Sequence, residues 1–308
     1  MRHRGRRRTN RCVTGNVYMG LRIGGKRRGA PPGSRLKEEN GMEMIFQGLK
    51  VQYIEQGQGP LVVLFHGWGA NKELFGPLIG TLATQYRVAA PDTPGFGQSQ
   101  EPREPWELAD YCAFCKAFVE HVSGPGDGEV ILMGHSHGGR TLIRLVGSGM
   151  LRPRTVKKLV LIDSAGIVHE KTPQQLRRIK RYKRGKQFLS LPPVKALFPH
   201  ALERLQSRSG SADYRAASPV MRQSMVKVVN EDVREYLPRI EAETLLVWGE
   251  QDQDTPVSDG KLMEQMIPGS GLAVLAGAGH FCFIDRQYQF LAVMRSFLGI
   301  DGNRGVHG

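Results

Sequence analysis

No apolar run in this 308-residue chain approaches the roughly 18 residues that a membrane-spanning helix requires. Nor does the stretch from Val17 to Ile23 supply the apolar core of a signal peptide. The chain holds only four cysteines, Cys12, Cys112, Cys115 and Cys282, too few and too scattered for the disulfide framework of a secreted domain. Cys112 and Cys115 stand three apart in a stretch that reads as a helix, so both thiols share one face and core packing accounts for them. His, Cys and acidic residues form no group with metal-ligand spacing, so neither metal nor cofactor is expected. Internal repeats are lacking as well. The default compartment is then the cytoplasm.

Acidic residues are also scarce, 29 against 43 lysines and arginines, a net charge of +14. The excess is local. Residues 1–41 hold twelve Lys/Arg and two acids (Glu38 and Glu39), hence +10, and the remainder carries only +4. That Arg/Gly/Pro-rich tail has no apolar periodicity and is expected to be disordered. A start assigned too far upstream is the competing explanation, since Met42 or Met44 opens directly on a strand, Met44-Ile45-Phe46. With Tyr18 the tail's lone aromatic, it has no stacking platform for bases. No nucleic-acid partner is expected for the folded body. A small-molecule substrate is expected instead, and the oligomeric state is left open.

What the chain does have is alternation. After an edge pair of short strands between Met44 and Ile54, strand-like runs alternate with helical ones: Leu61–Phe65, Lys72–Gln85, Tyr86–Ala90, Trp106–Val122, Glu129–Met133, Arg140–Val146 and Lys158–Ile162. The pattern breaks at Ser164 and resumes near Asn230, with a helix through Tyr236 and strands at Thr244–Trp248 and Leu272–Leu275. Such alternation makes an α/β fold with a mostly parallel sheet covered on both faces. Loops at the carboxyl ends of its strands are where ligands bind.

Several of those loops carry chemistry. Gly134-His135-Ser136-His137-Gly138 follows a strand and opens a helix, the context in which G-x-S-x-G presents an exposed serine on a strained turn. A serine hydroxyl needs an adjacent base. His280, after the Leu272 strand, is the candidate, because imidazole titrates near neutral pH. Asp252, in Gly249-Glu250-Gln251-Asp252, would orient it, with Asp254 and Asp163 as weaker choices. The amides of His137 and of Trp68, in His66-Gly67-Trp68-Gly69, would stabilise an oxyanion. Asp92, in Pro91 to Ser99, more plainly pins its own turn. His66, beside its loop glycine, reads as a structural histidine bonding loop backbone, and is kept with His135 and Cys282 as a pocket candidate.

With these pieces in view, the chain from about Met44 to Ile300 resembles capped bacterial proteins of the α/β-hydrolase fold. The resemblance rests on the elbow around Ser136, His66–Gly69, Asp92–Ser99, Gly249–Pro256 and Gly279-His280-Phe281. It implies an eight-stranded, mostly parallel sheet flanked by helices, with a helical cap inserted between core strands 6 and 7. The core would span 42–166 and 230–301, the cap 167–229, and residues 302–308 would be a flexible terminus. Ser136, Asp252 and His280 would be the catalytic triad, and Trp68 and His137 the oxyanion hole. Serine rather than aspartate at 136 excludes relatives with a carboxylate nucleophile. The expected activity is that of a serine esterase-like hydrolase on a small acyl substrate. A C–C bond hydrolase, a cofactor-free perhydrolase and a non-catalytic ligand-binding protein are the alternatives. Within the insertion, Leu189, Leu191 and Phe198 are candidates to roof an apolar pocket. The basic run Arg177 to Lys186 reads as a solvated helix face, with attraction of anionic substrates or anionic lipid as the alternative.

Overall fold

A computed structural model describes residues 41–300 apart from 125–127, 202–203 and 206–210; the expected terminus 302–308 and all of the expected tail 1–41 except Gly41 lie outside the described residues. Eight strands form one sheet: β1 (Met42–Phe46), β2 (Leu49–Gln56), β3 (Leu61–Phe65), β4 (Arg87–Pro91), β5 (Glu129–His135), β6 (Thr155–Ile162), β7 (Glu243–Gly249) and β8 (Gly271–Leu275). Their spatial order is β1-β2-β4-β3-β5-β6-β7-β8. The first two strands pair antiparallel, as do β2 and β4, and all later pairs are parallel. This is the mostly parallel α/β sheet that the alternation predicts.

The central strands are continuous apolar runs because both faces are covered. In β3 every residue is buried, and its side chains divide by the period of two. Leu61, Val63 and Phe65 join the layer packed by α2 (Leu108–Val122) and α3 (His137–Gly147). Val62 and Leu64 join the opposite layer, with Leu78, Ile79 and Leu82 of α1 (Gly76–Leu82). Cys112 and Cys115 are buried on α2, and burial pushes the Cys112 thiol up to about 12 and that of Cys115 upward as well. Both are packing groups.

Three boundaries differ from expectation. The helix read over Lys72–Gln85 is a 3-10 turn at Lys72–Phe75 followed by α1, because Pro77 suits a helix start and donates no N–H to an earlier turn. The helix read from Trp106 begins at Leu108, after a capping box made by Glu107 and Asp110. Trp106 instead gives its backbone N–H to Ser224 Oγ. The helix read over Asn230–Tyr236 is a 3-10 turn at Arg234–Arg239 containing Pro238, which cannot donate a helical bond.

Between β6 and β7 the chain forms α4 (Pro173–Leu189), α5 (Pro192–Leu197), α6 (Ala212–Ala216) and α7 (Pro219–Val229). Helix α7 is fixed to the body by buried Met221, Ser224 and Val228, and by Arg140, which donates to the carbonyls of Val228 and Glu231. Helix α4 buries no residue at all. Among the described residues no helix is long and apolar enough to cross a membrane.

Candidate active site

The turn from β5 into α3 is tight because its glycines leave room that a side chain would fill. A Cβ at Gly134 would lie 2.6 Å from Gly139 N, and one at Gly138 would lie 2.2 Å from Phe65 O. Ser136, between them, has φ 50° and ψ −111°, a conformation costly for a residue with a Cβ. The strain points its hydroxyl out of the strand-to-helix corner. His137 opens α3, so its amide is among the first four that lack an intrahelical acceptor.

Two loops from the far half of the chain meet this serine. His280 Nε2 lies 2.9 Å from Ser136 Oγ, and His280 Nδ1 lies 2.8 Å from Asp252 Oδ2. Asp252 also accepts from the Thr255 hydroxyl at 2.7 Å and, through Oδ1, from the amides of Asp254 and Thr255. These bonds fix the carboxylate with its free edge toward the imidazole. Burial alone would lower the His280 pKa, but the hydrogen bond and charge of Asp252, with Asp163 and Asp254 behind it, outweigh burial and raise it. For Asp252 burial pushes upward, and His280 and Thr255 together bring the carboxyl below its ordinary value. A hydroxyl, a base and a buried anion therefore stand in one line.

The weaker acid candidates have other work. Asp254 is exposed and serves Asp252 through its backbone. Asp163 is fully buried at the end of β6, where Oδ1 accepts from Gly249 N at 2.7 Å and Oδ2 from Cys282 N at 3.1 Å. It ties the strand that leads to Asp252 to the loop that carries His280. Burial pushes its carboxyl up to about 7 despite those bonds. Asp92 accepts from the backbone of Lys72 and Gln98 and pairs with Lys72 Nζ at 2.7 Å, pinning its turn as expected.

Of the pocket candidates, His66 bonds loop backbone, the structural role read from its sequence position. His66 is buried with both ring nitrogens committed: Nε2 accepts from Thr93 N and Nδ1–H donates to Gly67 O. It holds the Gly67–Trp68 loop against the serine, and a Cβ at Gly67 would come within 3.0 Å of Ser136 Cβ. His135 is buried too, and its Nε2 meets the His280 carbonyl at 2.8 Å. Burial, then the neighbouring His280, drives its pKa down to about 3, so it is a neutral donor rather than a pocket wall. Cys282 is fully buried and offers no surface to a ligand. Leu189 and Phe198 line a cavity of about 490 Å³ that includes none of Ser136, Asp252 or His280, and Leu191 and Phe198 are exposed.

His137 remains, next to Ser136. Its ring is buried against the edges of Trp68 and Tyr111, and neither of its nitrogens finds a partner among the described residues. Burial, then Arg140, lowers its pKa to about 3. Sequence reasoning missed Asp213 on α6, which lies against Gly69 of the His66–Gly69 loop and near enough to Asp254 and His280 to feel their charge. It also missed the His135–His280 bond, because a bond between a side chain and a backbone group 145 residues away leaves no local pattern. Asp252, Asp254 and His280 bring ligand-type atoms within 4.8 Å of one another, but Asp252 Oδ2 and both His280 nitrogens are already joined in the relay to Ser136. That donor set fits proton transfer, not coordination.

With this geometry described, comparison with known proteins is direct. The profile of the alpha/beta hydrolase fold matches residues 60–287, well over half of the chain. The chain belongs to the alpha/beta hydrolase fold family. A hydrolase of 2-hydroxy-6-oxo-6-(2'-aminophenyl)hexa-2,4-dienoic acid from Metapseudomonas resinovorans is 28% identical to this α/β hydrolase over 263 residues, covering 82% of the chain and 88% of the relative. A pimeloyl-[acyl-carrier protein] methyl ester esterase from Neisseria meningitidis is 28% identical over 255 residues, covering 77% and 92%. An esterase from Exiguobacterium antarcticum shares the fold with a TM-score of 0.64 at 23% identity, covering 84% of this chain and all of its own. Family and relatives together support hydrolytic function for this α/β hydrolase.

Proposed function

We propose that the protein is a serine hydrolase that cleaves a small ester-type substrate through an acyl-enzyme on Ser136. The observation that carries this reading is the continuous relay from Ser136 Oγ through His280 to Asp252, with both links under 3 Å. Ser136 Oγ attacks the acyl carbon while its proton passes to His280 Nε2. The carbonyl oxygen becomes an oxyanion that accepts from the amides of His137 and Trp68. Asp252 stabilises the imidazolium so formed. Collapse breaks the bond to the leaving alcohol, which takes the proton from Nε2 and departs. Water then repeats the sequence on the acyl-serine, giving the acid and restoring the hydroxyl. The insertion 167–229 serves as the cap, with Asp213 its contact with the oxyanion loop.

The esterase relatives support an ester as the scissile group. A second reading, hydrolysis of a hydroxy-oxo-dienoic acid, draws on the Metapseudomonas relative and uses the same three residues. A panel of p-nitrophenyl esters of graded acyl length, run beside such a dienoic acid, separates the two. A fluorophosphonate probe tests the nucleophile. It should label the wild type at Ser136 and leave Ser136→Ala unlabelled. Folded wild-type protein without label would remove the acyl-enzyme.

A further inference from the structure

The net charge of this chain conceals a strong division. The insertion 167–229 contains 14 lysines and arginines against three acids, a net +11, whereas the core segments 42–166 and 230–308 together contain 17 against 24, a net −7. Helix α4 concentrates the cations: Arg177, Arg178, Lys180, Arg181, Lys183, Arg184 and Lys186, with no acid in its 17 residues. It is also the helix with no buried residue. Ile179, Tyr182 and Leu189 are half-buried along one stripe, while Arg177, Arg181, Arg184 and Phe188 stand exposed along another, at helical spacing i, i+4, i+7, i+11. Where α4 turns into α5 the surface becomes apolar. Phe188 is 59% exposed, Leu191 47%, Leu197 74% and Phe198 61%, beside the cavity that Leu189 and Leu205 help to line.

We propose that the α4–α5 corner is a docking face for an anionic lipid bilayer, with the arginine stripe on lipid phosphates and Phe188, Leu191, Leu197 and Phe198 in the acyl boundary. A helix that pairs a cationic face with large exposed apolar groups is built to lie in a membrane interface rather than to cross it. The other occupants fit less well. A second copy could set its net −7 core segments against these cations, but a polar protein surface gives the four apolar groups no hydrocarbon to enter. A nucleic acid or a soluble acidic protein would satisfy the cations but gives the four apolar groups no hydrocarbon to enter. A bilayer offers both. The face stands apart from the hydrolase reading, since no residue of the Ser136 relay belongs to it.

The test is co-sedimentation of the full chain with phosphatidylcholine vesicles, with and without phosphatidylglycerol. The Ser136→Ala background is used so that lipid hydrolysis does not intervene. Binding is expected only when phosphatidylglycerol is present, and weaker at raised salt. Each interfacial cation is worth about fivefold in partitioning, so Arg177→Gln/Arg181→Gln/Arg184→Gln should lower it about a hundredfold. Phe188→Ser/Leu197→Ser should lower it by roughly tenfold or more. The basic tail is present in every arm and cancels. All five positions are exposed, so far-ultraviolet circular dichroism and Tm should hold. The proposal fails if the triple-Gln variant binds as well as its parent, or if neutral vesicles bind equally. It fails as well if duplex RNA or an acidic carrier protein displaces the vesicles at equal charge concentration.

Discussion

His135 Nε2–H donates to the main-chain carbonyl of His280 at 2.8 Å, so the residue just before Ser136 holds the loop that bears His280. The two rings also stand 5.0 Å apart, centroid to centroid. Replacing His135 with Phe keeps the bulk and removes the donor. We expect kcat on a nitrophenyl ester to fall by about tenfold to a hundredfold, as displaced catalytic groups do, with KM little changed. His135 is already neutral down to about pH 3, so the acid limb of kcat/KM should stay in place. A moved limb would mean that His135 titrates with the reaction.

In the proposed mechanism that acid limb belongs to His280, which must be neutral to take the serine proton. Its pKa is raised, with burial opposing and Asp252 prevailing, so activity should fall as pH drops through a value above 6.5. Asp252→Asn removes the charge and hydrogen bond that raise it. The limb should then move to lower pH, and kcat should fall by about ten-thousandfold at its plateau. A pH–rate profile of the two proteins decides this.

The relay itself was legible because its parts are local: an elbow after an apolar strand, an acid and a histidine each at a strand end. So was the sheet, since β3, β5 and β6 are apolar runs of strand length. The supports were legible only in part. His66 reads as a loop-bonding histidine from its place beside Gly67, whereas only the backbone carbonyl packed against His135 reveals its task. Leu189, Leu191 and Phe198 of the insertion looked like a roof by composition. Where α4 and α5 place them is set by tertiary packing, on which periodicity is silent. Trp106 and Pro238 show the same limit at element ends, where one contact or one missing N–H moves a boundary.

Asp163 offers a stability test with a definite sign. Its carboxyl is pushed up to about 7 in the folded protein, against 3.8 ordinarily, by burial that outweighs the bonds from Cys282 and Gly249. Between those values the native state holds a proton that the unfolded chain has released, so this group makes stability fall as pH rises from about 4 to 7. Asp163→Asn cannot ionise, and this component should vanish from its Tm-against-pH curve. An amide has one accepting oxygen for two backbone donors, so one buried N–H is left unpaired at a cost of about 1–3 kcal/mol. The variant should therefore be less stable than wild type at low pH, with the gap narrowing toward pH 7. A gap that widens over that range would show that the native carboxyl is ionised throughout.

The buried pair of Lys72 and Asp92 connects stability with the site. Lys72 Nζ meets Asp92 Oδ2 at 2.7 Å, with 3% and 0% of the two side chains exposed. Asp92 holds the turn on which Phe96 rests, and Phe96 packs edge-on against Trp68 at 4.9 Å. Lys72→Met leaves the carboxylate without its cation in a site that water does not reach, and breaking a buried pair from one side costs about 3–5 kcal/mol. The double change Lys72→Met/Asp92→Asn removes the stranded charge, so its loss in a urea titration should be smaller than that of Lys72→Met alone. Because Trp68, an oxyanion donor in the proposed mechanism, leans on this turn, Lys72→Met should also lower kcat under conditions where it remains folded. An unfolding midpoint equal to wild type would show that Asp92 needs only its backbone donors.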